Sequence, residues 1–372
     1  MLINDIVQSL ETIAPPQYAA EWDNIGLLAG SGEWEADSIL LTIDLTDAVL
    51  DEAVNAGAKL IVSYHPPIFQ PLKSITDASP KQRIILNAIA SRLAIYSPHT
   101  ALDAAPDGIN DWLAQAFGTG DVRALQSYEF LPESEQCKIV TFCPADIVDA
   151  VRNGLASVGA GQIGKYQLCS FELPGRGTFF AGDGAKPTLG VRGAMQVVDE
   201  VRLEMVCPKA ALALALATLR QFHPYEEPAI DIYPLHSRPL RHIGHGRRVM
   251  LDQAVTLKSL AQRLKQNLGL KRLEVAVGHD APARYTRIGV CAGAGGSLLQ
   301  DAIDQGCQLF FTGELRHHDV LNAQAQGCTV VLAGHTNTER GYLKVLRKRL
   351  NDVAPDVNVS ISRRDANPLR SM

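Results

Sequence analysis

The chain has 372 residues, 46% of them apolar and 20% charged, which is more than one ordinary core holds and excludes a disordered protein. A net charge of −5 argues against general nucleic-acid binding, which needs a basic surface. Seven cysteines, odd in number and without a C-x-x-C pair, suit a reducing compartment and argue against a disulfide framework or a structural zinc site.

Met1 to Asp5 lacks the basic start and apolar run of a secretory signal. No apolar stretch approaches the roughly 20 residues that span a bilayer. A cytoplasmic protein without a membrane partner is expected.

In chain order, Ile39–Ile43 predicts a strand, followed by a helix from about Thr46. Lys59–Val62 and Leu93–Tyr96 predict two more strands, with a helix from about Pro80 to Arg92 between them. The same rhythm returns at Arg287–Cys291, Leu309–Thr312 and Thr329–Leu332, whose consecutive apolar residues suit strands buried on both faces. Strands alternating with helices predict crossover units and a largely parallel sheet.

The middle of the chain differs. A strand (138–142), a helix (144–157), a Gly-rich stretch (159–193), a strand (201–206), a helix (208–222) and a strand (229–233) succeed one another. That order predicts a small α+β module of ferredoxin-like type. The segment 238–248, basic and carrying Gly244 and Gly246, reads as the link back. The expected fold class is therefore α/β: a parallel-sheet domain (1–125 plus 240–372) split by an inserted ferredoxin-like module (126–239).

The residues just beyond the predicted strands carry the chemistry. Val62 is succeeded by Ser63-Tyr64-His65-Pro66-Pro67, and Tyr96 by Ser97-Pro98-His99-Thr100 and then Asp103. Phe311 leads to Thr312-Gly313-Glu314 with His317 and His318 beyond, and Leu332 leads to Gly334-His335-Thr336-Asn337-Thr338-Glu339. Ligands of open parallel sheets bind outside the carboxyl ends of the strands. Four strands thus send His, Asp or Glu to one edge, and His65, Asp103, His335 and Glu339 are the candidate metal ligands.

Plainer readings remain open. Asp103 reads equally as a helix N-cap, and His335 with Glu339 as a capping arrangement. Imidazole and carboxylate without thiolate suit zinc, iron, manganese, cobalt or nickel, one or two ions per chain. Glu339 is the residue that could bridge two ions, which makes it the catalytic candidate of a hydrolytic site. Gly293-Ala294-Gly295-Gly296-Ser297 reads as a packing turn or a phosphate contact. His223 to Pro228 reads as a rigid turn or a ligand-bearing segment.

Several motifs resemble one known family. They are Glu21-Trp22-Asp23-Asn24-Ile25-Gly26-Leu27, Ser63 to Phe69, Ser97 to Asp103, Thr312 to His318 and Gly334 to Arg340. Gly161 to Tyr166 and His223 to Pro228 match its long form. The chain resembles the Nif-three-like family, the GTP cyclohydrolase I type 2 homologues, over nearly its whole length. The resemblance implies a two-metal centre in a ring-shaped homohexamer, with an inserted module similar to PII or CutA proteins. It implies one ion on His65, Asp103 and Glu339. A second would sit on His335, Glu339 and a histidine at the position that Tyr64 occupies here. Tyr64 departs from that pattern, a phenol being a poor ligand at neutral pH. His99, Glu314 and His317 are the nearby candidates for a substitute ligand or a supporting role.

The expected function is a metal-dependent hydrolase of a nucleotide or phosphoester, GTP cyclohydrolase-like by resemblance. The alternative is a non-catalytic regulatory or adaptor protein that senses metal or nucleotide, or holds a protein partner.

Overall fold

The computed structural model describes residues 1–369. The chain forms two compact units, Met1–Tyr128 with Leu240–Met372, and Glu129–Pro239. In chain order the strands are β1 (Gly26–Ala29), β2 (Ser38–Thr42), β3 (Leu60–Ser63), β4 (Ala94–Ser97), β5 (Gly120–Phe130), β6 (Cys137–Cys143), β7 (Phe171–Phe180) and β8 (Met195–Cys207). They continue as β9 (Ile230–Pro234), β10 (Arg238–Val255), β11 (Glu274–Ala276), β12 (Tyr285–Ala294), β13 (Leu309–Glu314), β14 (Thr329–Leu332) and β15 (Asn358–Ile361).

The first unit holds two mixed sheets, ordered β1-β4-β3-β2-β15 and β11-β14-β13-β12-β10-β5, where one largely parallel sheet was expected. In the first, β4, β3, β2 and β15 run parallel and β1 is antiparallel to β4. In the second, β12, β13 and β14 run parallel, flanked by antiparallel β10 and β11. The two runs of apolar strands look alike because each is covered on both faces, and burial periodicity does not say which strands pair. One core joins the sheets: Val62 and Tyr96 of the first and Val290 and Phe311 of the second pack with Ile3, Ile6 and Leu10 of the helix Ile3–Ile13.

Local chemistry sets the element ends. Thr46 caps the helix Asp47–Asn55 by accepting the Val49 N–H, and Ser79 caps Pro80–Ala90 through the Gln82 N–H. Asp103 lies in the last turn of the helix His99–Ala104 and is not an N-cap.

The predicted link at 238–248 is instead most of β10, a long strand. Gly244 is required there, since a Cβ would meet the Gln126 carbonyl oxygen at 2.1 Å. Arg247 is wholly buried on this strand. Its guanidinium donates to Asp111 at 2.5 and 3.1 Å, and to the carbonyls of Ala104 and Ala105 at 3.3 and 3.0 Å. It therefore pins the segment just after Asp103.

The second unit has one antiparallel sheet, ordered β7-β8-β6-β9, with helices Val148–Ser157 and Leu212–Phe222. Ile139, Leu203, Val151, Leu155 and Leu219 form its core. The Gly-rich stretch contains β7, where composition suggests irregular chain. No helix among the described residues is long and apolar enough to cross a membrane.

Candidate metal centre

Strand ends place the key side chains. His65 lies just past β3, where its N–H donates to the Ile43 carbonyl at 3.0 Å and its own carbonyl accepts Ser63 Oγ at 2.7 Å. Gly334, at φ 85°, turns the chain after β14 and opens the short 3-10 turn His335–Thr338. Thr338 Oγ1 donates to the His335 carbonyl at 2.6 Å, so the turn carries its own brace. Glu339 ends it, 1% exposed.

Both imidazoles aim at this one carboxylate. His65 Nε2 lies 3.5 Å from Glu339 Oε2, and His335 Nε2 lies 3.3 Å from Oε1. On the far side of each ring a second carboxylate takes Nδ1: Asp44 at 2.8 Å for His65 and Glu314 at 3.0 Å for His335. A carboxylate only accepts, so the network assigns the proton to Nδ1 and leaves Nε2 to face the centre. Ligand-type atoms of His65, His335 and Glu339 all lie within 4.8 Å of one another.

These contacts set the electrostatics. Burial alone would lower the His65 pKa, but Asp44 and Glu339 outweigh it and raise it to about 10. Hydrogen bonding to Glu339 leads in raising His335 to about 9. Burial pushes Glu339 upward, yet the two imidazoles hold its pKa below the usual carboxylate value.

The remaining predicted residues surround this triad without joining it. Asp103 accepts the Tyr64 hydroxyl on Oδ1 at 2.7 Å, and burial raises its pKa to about 6. His99 is paired through Nδ1 with Asp23 Oδ1 at 2.8 Å, and its ring stands 5.5 Å from that of His65. Glu314 is the orienting partner of His335, while His317 is exposed and meets the His318 ring edge-on, with centroids 5.6 Å apart.

The glycine loop is spent on packing: the Gly293 N–H goes to Thr338 Oγ1 at 2.8 Å and that of Gly295 to the Glu314 carbonyl at 3.3 Å. His223 is a turn residue, with Nε2 on the Phe142 carbonyl at 3.0 Å and Nδ1 accepting the Tyr225 N–H at 3.2 Å.

Sequence reasoning assigns no role to Asp44, Asp23, Arg340 or Asp365. Asp44 lies past the end of β2 just as His65 lies past the end of β3, so the same strand-end rule could have found it. Asp23 lies in one of the family motifs and is held by Thr100 through N–H and Oγ1 at 3.1 and 2.5 Å. Arg340 pairs with Asp44 at 3.6 Å and with Asp365 at 2.5 Å. Nothing in the sequence signals Asp365, which sits far along the chain.

The residues fit a divalent cation. Glu339 Oε2 is buried and makes no hydrogen bond among the described residues, with His65 Nε2 standing off at 3.5 Å as an ion-pair partner, so lone pairs of this oxygen stay open to a cation. Space is kept there as well. A Cβ on Gly293 would meet Glu339 Oε1 at 2.7 Å and His335 Nε2 at 3.0 Å.

The profile of Duf34/NIF3 (NGG1p interacting factor 3) matches residues 1–368. The chain belongs to the DUF34/NIF3 family. A GTP cyclohydrolase 1 type 2 homolog of Bacillus subtilis (strain 168) is 35% identical to this NIF3-family chain over 366 residues, covering 98% of it and 96% of the relative. NIF3-like protein 1 of Rattus norvegicus is 35% identical over 378 residues, covering 100% and 93%. A crystal structure of a Bacillus cereus protein related to NIF3 is similar with a TM-score of 0.66 at 31% identity, covering 100% of this chain and 99% of that one. A Staphylococcus aureus protein is similar with a TM-score of 0.75 at 27% identity and the same coverage. The NIF3-family fold is thus that of a mixed α/β protein with several sheets.

Proposed function

We propose that this NIF3-family chain is a metal-dependent hydrolase of a nucleotide or phosphoester, with His65, His335 and Glu339 holding a divalent ion and Asp103 beside them. The observation that carries the reading is the two Nε2 atoms aimed at the two oxygens of one buried carboxylate. When bound, such an ion polarises a phosphoryl or carbonyl oxygen and brings the pKa of water towards neutrality.

The chain's own residues do the rest. Asp44 and Glu314 hold the Nδ1 protons and so fix both rings. His99, with Nδ1 given to fully buried Asp23, has Nε2 as the atom that takes or returns a proton. Its backbone sits at φ 25°, a conformation that costs energy and persists where neighbours enforce it. Trp22, 64% exposed, lies 6.2 Å from the His99 ring and 5.9 Å from Phe69, an aromatic rim that suits a flat heterocycle.

The name of the Bacillus subtilis relative, GTP cyclohydrolase 1 type 2 homolog, supports a cyclohydrolase-like reading of the same site. A turnover panel of nucleotides and phosphoesters on metal-loaded protein tests it. Hydrolysis lost in Glu339→Ala with folding intact is the expected result. Silence with every divalent metal would favour the regulatory or adaptor alternative.

We further propose that the unit Glu129–Pro239 is a ferredoxin-like module. Its strand-helix-strand-strand-helix-strand order and its sheet order β7-β8-β6-β9 support that reading.

A further inference from the structure

We propose that Tyr64 limits the centre to one ion per chain, its hydroxyl holding Asp103 so that only His65, His335 and Glu339 remain as ligands. The inference rests on the proposed function, in which these three hold a divalent ion.

Tyr64 is 3% exposed and immobilised at every level. Its N–H donates to the Thr42 carbonyl at 2.9 Å, and its carbonyl accepts Ser97 Oγ at 2.8 Å. Both bonds fix the backbone between neighbouring strand ends, and the ring itself is held by its burial and by its hydroxyl bond to Asp103. The ring stands 4.9 Å from that of His65 and 5.4 Å from that of His99, filling the space between the two imidazoles and Asp103.

Its hydroxyl donates to Asp103 Oδ1 at 2.7 Å. Asp103 is also held from behind: Asn110 Nδ2 donates to its carbonyl at 3.1 Å, while Asn110 Oδ1 accepts the Ala292 N–H of β12 at 2.8 Å. One oxygen of the carboxylate, Oδ1, is therefore directed at the phenol, and the Asp103 backbone is tied to the second sheet.

A second ion would need its own set of donors. The described residues bring one group of three ligand-type side chains together, and Asp103 is not in it. A neutral phenol adds no ligand of useful strength, whereas an imidazole in its place would supply a nitrogen and return Asp103 to the centre.

Titration of the full-length protein with Mn²⁺, then dialysis, elemental analysis and electron paramagnetic resonance, decides the matter. The expected result is one Mn²⁺ per wild-type chain with the six-line spectrum of an isolated ion. That ion should be absent from Glu339→Ala, and Tyr64→His should show a twofold gain in bound Mn²⁺ with an exchange-coupled spectrum.

Two ions in the wild type, both lost in Glu339→Ala, would overturn the one-ion inference and leave the metal reading standing. A folded Tyr64→His that still takes one ion would overturn the role of Tyr64. No Mn²⁺ in the wild type, or retention in Glu339→Ala, would overturn the metal reading itself. Should Tyr64→His fail to fold, the wild-type count and spectrum alone decide.

Discussion

His65 and His335 are built alike: a carboxylate on Nδ1, Glu339 on Nε2, and a backbone fixed at a strand end. Such outer partners orient a ligand and raise its basicity, and losing one typically lowers metal affinity by about 10–100-fold. Asp44→Asn and Glu314→Gln should each weaken divalent-ion binding by about that factor, read by calorimetric titration. Because the Asp44 partner is the less exposed of the two, the larger loss is expected at Asp44.

Protons compete at the same nitrogens. With folded pKa values raised to about 10 and about 9 from an ordinary 6.5, both imidazoles carry protons at neutral pH before an ion enters. Binding must therefore release protons, and affinity should rise with pH from about 6 to about 9. Titration in buffers of different ionisation enthalpy measures that release, and pH-independent binding would contradict it. The ion-free protein should behave oppositely. Groups with raised pKa values stabilise it fully below about 6.5, and that contribution disappears as pH rises through about 9 and 10.

At the scale of elements, Arg247 and Gly293 hold the centre's surroundings in place. Replacing Arg247 with Met would strip the donors from Asp111 and from the Ala104 and Ala105 carbonyls. A destabilisation of about 3–5 kcal/mol is expected in denaturant unfolding, as for other broken buried pairs. Gly293→Ala would press a methyl against Glu339 and His335, so metal affinity should fall more than stability does.

How much of the fold is legible in the sequence depends on burial. Leu60–Ser63 and Leu309–Gly313 are buried residue after residue, and such runs read as strands directly. The strand β7 does not, because Pro174, Gly175 and Gly177 look like turn residues. It lies at the edge of its sheet, where one side needs no ladder partner and proline is tolerated. The strand β10 is hidden by Gly244 and Gly246, whose purpose is close approach and is visible only in three dimensions. The ends of the parallel strands point to His65, His335 and Glu339, but spacing alone does not tell that Tyr64 takes Asp103.

For the whole molecule, the exposed apolar residues of the second unit bear on assembly. Phe171, Leu173, Phe180, Met195 and Val197 of β7 and β8 are 51–67% exposed. Surfaces of that kind usually mark contacts. We propose that this face mediates contact between copies of the chain, and sedimentation velocity should give the mass of the assembly. Charged substitutions at Phe180 and Met195 should reduce that mass, whereas a monomeric wild type would contradict the expectation.

The central claim is that two imidazoles and the Glu339 carboxylate bind the ion. X-ray absorption spectroscopy of the zinc-loaded protein tests it most directly. The spectrum should show a nitrogen and oxygen shell at roughly 2.0–2.1 Å with the multiple scattering of two imidazoles. A sulfur scatterer near roughly 2.3 Å, or a spectrum without imidazole features, would contradict it.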